Sequence, residues 1–157
     1  MTIAAGTAVI RDARGADIPR LLELYLQLSE QSTLVESEVR REAEPHHDAL
    51  RAISADSRAR LFVLDLDGTV RGTLALYVLP NLSHDGHPFA IVENVVVDHA
   101  LRGGGYGRLL MAHAERIAVE AGCYKVSLTS NLKRGEAHAF YERIGYAQSH
   151  KGFTKYT

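Results

Sequence analysis

The sequence predicts an α/β protein, a mixed sheet flanked by helices on both faces, and three observations predict it. Phe89-Ala90-Ile91-Val92-Glu93-Asn94-Val95-Val96-Val97 is an almost unbroken apolar, β-branched run, the pattern of a strand buried on both faces. Leu61 to Leu66 and Val70 to Leu79 are also apolar on both faces, and Asp67-Gly68 between them signals a hairpin because both residues accept positive φ. Downstream of the first run, Arg102-Gly103-Gly104-Gly105-Tyr106-Gly107 holds four glycines in five positions. Leu110, Ala114, Ile117, Ala118 and Ala121 follow at helical spacing, Arg108, Glu115, Arg116 and Glu120 supply the wet side, and Gly122 stops the helix.

Taken in order, Thr7 to Arg11 is a short first strand. Asp17 reads as an N-cap with Pro19 in the first turn, and Ile18, Leu21, Leu22, Tyr25 and Leu28 form the buried stripe of the first helix. The polar Ser29 to Glu44 segment has no period and is expected to be a loop that lies over a site or simply connects. Pro45 opens a second helix whose His46, Ala49, Leu50 and Ile53 share a face. After the hairpin, Pro80 to Pro88 is a turn-rich loop leading into the central strand, a candidate rim for a site. Gly122 to Leu128 is the next strand entrance, Ala139, Phe140, Arg143 and Ile144 mark a last helix ended by Gly145, and Tyr146 begins a final strand pair that includes Phe153 to Thr157. The expected order is β-α-α-β-β-β-α-β-α-β-β.

With 157 residues the expectation is one domain, residues 1–157. Eighteen basic against nineteen acidic residues, a net charge of −1, give no electrostatic case for nucleic acid or membrane binding, and neither partner is expected. The single cysteine, Cys123, excludes an intramolecular disulfide and fits a reducing compartment; with no signal peptide and no long apolar run, a cytoplasmic location is expected. His84-x-x-His87 lacks a third strong ligand, so no metal is expected.

A strand that feeds glycines into a helix N-terminus is built to hold an anion, because unpaired N–H donors and the positive end of the helix dipole converge there. The spacing selects among phosphate ligands. G-x-G-x-x-G fails, since counting from Gly103 reaches Arg108 and from Gly105 reaches Leu110, and no lysine is followed by Ser or Thr as in a P-loop. Arg102, Gly105 and Gly107 satisfy Arg-x-x-Gly-x-Gly after Val95-Val96-Val97-Asp98. This stretch resembles the pyrophosphate-binding motif of the GNAT superfamily of N-acetyltransferases. Gly122 to Leu128 and Ala137-His138-Ala139-Phe140-Tyr141-Glu142-Arg143-Ile144-Gly145-Tyr146 resemble that family's next strand and closing helix, so the likeness covers roughly the second half of the chain.

The resemblance implies a GNAT-type, mostly antiparallel sheet, acetyl-CoA as co-substrate and transfer of an acetyl group to a primary amine by direct attack in a ternary complex. It places the pantetheine arm and the thioester carbonyl on the backbone of Val95, Val96 and Val97, and the pyrophosphate on Arg102, Gly103, Gly104, Gly105, Tyr106, Gly107 and Arg108. Asn131 stands where relatives contact the cofactor. Tyr141 stands where many relatives keep a general acid for the leaving thiolate, with packing between helix and sheet as its other reading. Glu93 is the ionisable residue in an otherwise apolar strand, a candidate base for the amine or a carboxylate that binds a cationic acceptor. A homodimer is implied by the family. The acceptor is read as a small molecule such as an amino sugar, aminoglycoside, polyamine or amino-acid-like amine, and Gly122 to Lys125 also looks like glucosamine-phosphate acetyltransferases. A lysine or N-terminal protein acetyltransferase, and an acyl-CoA sensor without turnover, share the same motifs.

Overall fold

A computed structural model describes residues 7–29 and 43–157. Residues 30–42, the body of the Ser29 to Glu44 connection, lie outside the described residues. The elements run β1 (Ala8–Asp12), α1 (Ile18–Ser29), α2 (Ala43–Ala55), β2 (Ala59–Leu66), β3 (Thr69–Leu79), β4 (Phe89–Val97), α3 (Tyr106–Glu120), β5 (Val126–Leu128) and α4 (Gly135–Arg143). The five strands form one sheet in sequence order, antiparallel from β1 to β4 with β5 parallel to β4. That is the mixed, mostly antiparallel sheet expected.

The local chemistry accounts for the elements. Asp67 and Gly68 take φ of 51° and 82°, so the two-residue hairpin turn matches the right-handed twist of the strands it joins. Gly122 at φ 75° ends α3. Asp17 does not cap α1 as expected: its carboxylate accepts the Arg14 N–H at 2.7 Å and both Arg11 guanidinium nitrogens at 2.8 and 3.0 Å. The charge-assisted bidentate pair with a guanidinium outcompetes the neutral N–H groups of the helix for this carboxylate.

Helices cover both faces, as the two-sided apolar strands require. Phe62, Leu64, Leu74, Leu76, Ala90 and Val92 pack against Leu110, Met111, Ala114 and Ala118 of α3 and Tyr141 of α4. On the other face Val63, Val70 and Val96 pack against Leu21 and Leu24 of α1, with Leu50 of α2 beside them. The expected final strand pair does not form: residues 144–157 contain no strand. Phe153 and Tyr156 are 94% and 81% exposed. Three positions apart, they fall on opposite faces of an extended chain, so the segment has no apolar face to bury.

Candidate active site

The site is set by where strand pairing stops. β4 pairs with β5 only at Ala90, Ile91 and Val92, and beyond Leu128 the two strands separate. From Glu93 to Val97, β4 is paired to β3 alone, leaving its other edge open among the described residues. At the point of separation Asn94 takes φ 54°, and Asn94 and Val95 together face Leu74, between the Ala75↔Glu93 and Thr73↔Val96 pairs. This is a β-bulge, and it reverses which side chains face which layer. Before it, Ala90 and Val92 face α3; after it, Val95 and Val97 do, and Val96 turns to α1. The side chains of Val95, Val96 and Val97 are therefore core, and what these residues offer a ligand is backbone.

The glycine turn follows. Gly103 and Gly105 both take φ 82°, a conformation in which a side chain is strained, and Gly105 is the N-cap of α3. Gly107 is glycine for space, since a Cβ there would lie 3.2 Å from the Phe140 ring of α4. The Gly104 N–H is used on Leu101 O at 3.2 Å, and the first bond of the helix is Leu109 N–H to Gly105 O. The N–H groups of Gly103, Gly105, Tyr106, Gly107 and Arg108 have no partner among the described residues. These five donors and the N-terminus of a fifteen-residue helix share one exposed turn, with the Arg102 and Arg108 side chains also exposed.

Tyr141 projects from α4 and is 7% exposed, its ring 5.2 Å from that of Phe140 and 6.0 Å from that of Tyr146. Burial pushes its phenol up; the Arg134 guanidinium pulls it down and the Glu93 carboxylate raises it again. The Tyr141 phenol thus lies within the field of the Glu93 carboxylate. Glu93 is half-buried and has no hydrogen bond or ion pair among the described residues, and desolvation alone raises its carboxyl. One carboxylate and one cation thus act on the same buried phenol.

Asn131 lies on the loop after β5, and its Oδ1 accepts the Lys133 N–H at 2.9 Å. Its carbonyl accepts the Arg134 N–H at 3.0 Å and is 2.9 Å from His138 Nε2. Asn131 therefore shapes the loop that carries Arg134, and the turn claims part of its side-chain capacity. The paired histidines are separate from this chemistry: the His84 ring stacks on Tyr124 at 3.9 Å.

Several residues at the site had no signal in the sequence that was read. Ser130 Oγ, Arg134 Nε and Tyr146 OH are buried; the first two have no hydrogen-bond partner among the described residues, and the Tyr146 phenol interacts with the Glu115 carboxylate. All three belong to the β5–α4 connection or to the chain just after α4. Burial and the Glu115 carboxylate push the Tyr146 phenol up. Asn94 did carry a signal, being a residue tolerant of left-handed φ inside an apolar strand.

An open strand edge running into a glycine turn at a helix N-terminus is the arrangement of the coenzyme A-dependent acetyltransferase class. The chain belongs to the GNAT acetyltransferase family, whose model matches residues 17–146. Among similar proteins, the aminoalkylphosphonate N-acetyltransferase of Salmonella typhimurium is 39% identical over 89 residues. That match covers 57% of this chain and 57% of the relative, so the chain aligns with little more than half of that protein's length. The glucosamine 6-phosphate N-acetyltransferase of Trypanosoma brucei brucei is 33% identical over 111 residues, 67% of this chain and 74% of the relative. Among solved structures, a putative acetyltransferase from Agrobacterium tumefaciens str. C58 superposes with a TM-score of 0.83 at 35% identity, covering 95% of this chain and 99% of that one.

Proposed function

We propose that the protein transfers an acetyl group from acetyl-CoA to the primary amine of a small molecule. The observation that carries this reading is the juxtaposition of the unpaired β4 edge at Glu93–Val97 with five unpartnered N–H groups in the glycine turn. The pyrophosphate would take the turn's N–H groups, with Arg102 and Arg108 as counter-charges, and the pantetheine amides would add to the open edge as an extra strand does. That arrangement puts the thioester at the bulge, where a backbone N–H of Val95, Val96 or Val97 receives the developing oxyanion.

In the proposed reaction the amine nitrogen attacks the thioester carbonyl carbon, and the tetrahedral intermediate collapses with cleavage of the C–S bond. Tyr141 donates its phenolic proton to the leaving thiolate, for which a buried, neutral phenol is suited. Glu93 takes the proton the amine loses, directly or through a water, and returns it to solvent. No group on the protein is acylated.

A small acceptor is favoured because the two curated relatives above are named for amines of that size, an aminoalkylphosphonate and glucosamine 6-phosphate. The homodimer implied by the family belongs to the same reading and is checked by light scattering in solution. The test of function is thiol release from acetyl-CoA with a panel of aminoalkylphosphonates, amino sugars, aminoglycosides, polyamines and lysine peptides. Turnover with one small amine class supports the proposal. Turnover with peptides alone moves the acceptor to protein, and CoA binding without turnover on any of them favours a sensor.

A further inference from the structure

We propose that Asp98 is a positioning residue for the co-substrate. Through Arg20 and Arg71 it fixes the glycine turn against the sheet, and so makes α1 part of the apparatus that binds coenzyme A. The inference rests on the acetyl-CoA reading above and names residues that the motif does not include.

Asp98 is the first residue after β4 and, at 4% exposure, the most buried carboxylate among the described residues. Both its oxygens are engaged. Oδ2 accepts from Arg20 Nη2 of α1 and, at 3.1 Å, from Arg71 Nη1 of β3, while Oδ1 accepts the Ala100 N–H at 3.1 Å and has His99 Nδ1 at 3.5 Å. The backbone of the same residue is tied too, its N–H donating to Arg71 O at 2.7 Å and its carbonyl accepting the Leu101 N–H at 2.8 Å. Arg20 is itself fixed, since its Nε donates to Val70 O at 3.1 Å. Seven residues along α1, and so on the same side of the helix, Gln27 Oε1 accepts the His99 N–H at 2.9 Å.

The polar groups between β4 and α3 thus divide sharply. Asp98 to Leu101 is bonded to α1, to β3 and to itself, whereas Gly103 to Arg108 holds the unpartnered donors. Those donors are useful only if they point at one place before the ligand arrives, because ordering a glycine-rich turn on binding would consume affinity. Gly103, Gly104 and Gly105 have no side chains to order them, and of the turn's remaining residues only Tyr106 and Gly107 pack against the core or α4. The clamp at the base of the turn supplies that order, and two of its members come from α1.

A second ion-pair network provides the control. Arg11 joins Asp17 at 2.8 Å and Asp65 at 2.9 Å, with side chains about as sheltered, at the β1–β2 side of the sheet, two strands from β4. It bonds to no residue of the glycine turn. If Asp98 serves stability alone, the two networks respond alike.

The experiment is calorimetric titration of coenzyme A into the wild type, Asp98→Asn, Arg20→Lys, Gln27→Ala and Asp65→Asn, each with its melting temperature. Asp98→Asn keeps the acceptor for the Ala100 N–H and is expected to weaken CoA binding by about tenfold or more. Arg20→Lys, which keeps the charge, retains part of the affinity, and Gln27→Ala loses about threefold. Asp65→Asn lowers the melting temperature and leaves CoA affinity within about twofold. Unchanged affinity in Asp98→Asn, or an equal loss in Asp65→Asn, overturns the proposal. If Asp98→Asn does not fold, Gln27→Ala decides, and wild-type affinity there overturns it. A wild type that binds no CoA overturns the co-substrate reading instead, and this inference falls with it.

Discussion

The two halves of β4 belong to one largely apolar run and differ in what they pair with. Ala90–Val92 is paired on both edges, to β3 and to β5, and the side chains of Ala90 and Val92 fill the core. Glu93–Val97 keeps the β3 partner, loses β5, and carries the bulge and a half-buried, unpaired carboxylate. The difference teaches that the function of this strand lies in its hydrogen-bonding edge. Val95, Val96 and Val97 are as apolar as the closed half and pack into the core, so it is the missing neighbour that turns their backbone into a binding surface.

The largest effect is expected at the Tyr141 phenol, which the Glu93 charge of the open half reaches. Tyr141→Phe is expected to lower kcat by about 10²–10⁴-fold with CoA affinity unchanged by calorimetry; unchanged turnover removes Tyr141 from the mechanism. At the turn that the open half feeds, Gly105→Val forces a β-branched residue to φ 82° and is expected to cost about 100-fold or more in CoA affinity.

Glu93→Gln sharpens the contrast because it has two readouts of opposite sign. Turnover falls by about 100-fold. The acid limb of the wild-type pH–rate profile, set above the ordinary carboxylate range because burial raises this group, disappears in the variant. A carboxyl whose folded pKa is raised contributes stability below its unfolded value and loses it as pH rises through the folded value. Removing that charge is therefore expected to raise the melting temperature at neutral pH, and a lowered one would mean that the carboxylate has a stabilising partner.

Smaller effects are expected where only structure is touched. Asn94→Val places a branched residue in the left-handed region and costs about 1–2 kcal/mol of stability, whereas Asn94→Gly is close to neutral, as denaturant melts will show. On the far side of the sheet, the Arg11 guanidinium holds the Asp17 carboxyl below its ordinary range against the opposing effect of burial. That stability is present above the ordinary carboxylate value and lost as pH falls through the lowered one. Asp17→Asn therefore flattens the acid end of a stability-against-pH curve, with CoA affinity unchanged.

Much of this fold was legible because the sequence repeats its instructions. The apolar run Phe89–Val97 is β4 residue for residue, the Asp67-Gly68 turn joins the strands it was expected to join, and α3 begins inside the glycine motif. Each rests on several residues that agree. What was not legible rests on single residues and distant partners. Arg20 and Asp98 are 78 positions apart, and nothing local distinguishes Asp98 from an ordinary loop acid. Arg134 acquires its relation to Tyr141 from the turn held by Asn131, and the terminal strand pair failed because Phe153 and Tyr156 do not share a face. The sequence places Glu93 in the strand, but only the fold brings its charge within reach of Tyr141, 48 positions further on.

The most direct test of the account is amide hydrogen exchange across β4 and the glycine turn, with and without coenzyme A. Coenzyme A is expected to slow exchange within Glu93–Val97 and Gly103–Arg108 and to leave Ala90–Val92, already paired on both edges, unchanged. Protection elsewhere, with these two stretches unaffected in a complex shown to be saturated, would contradict it.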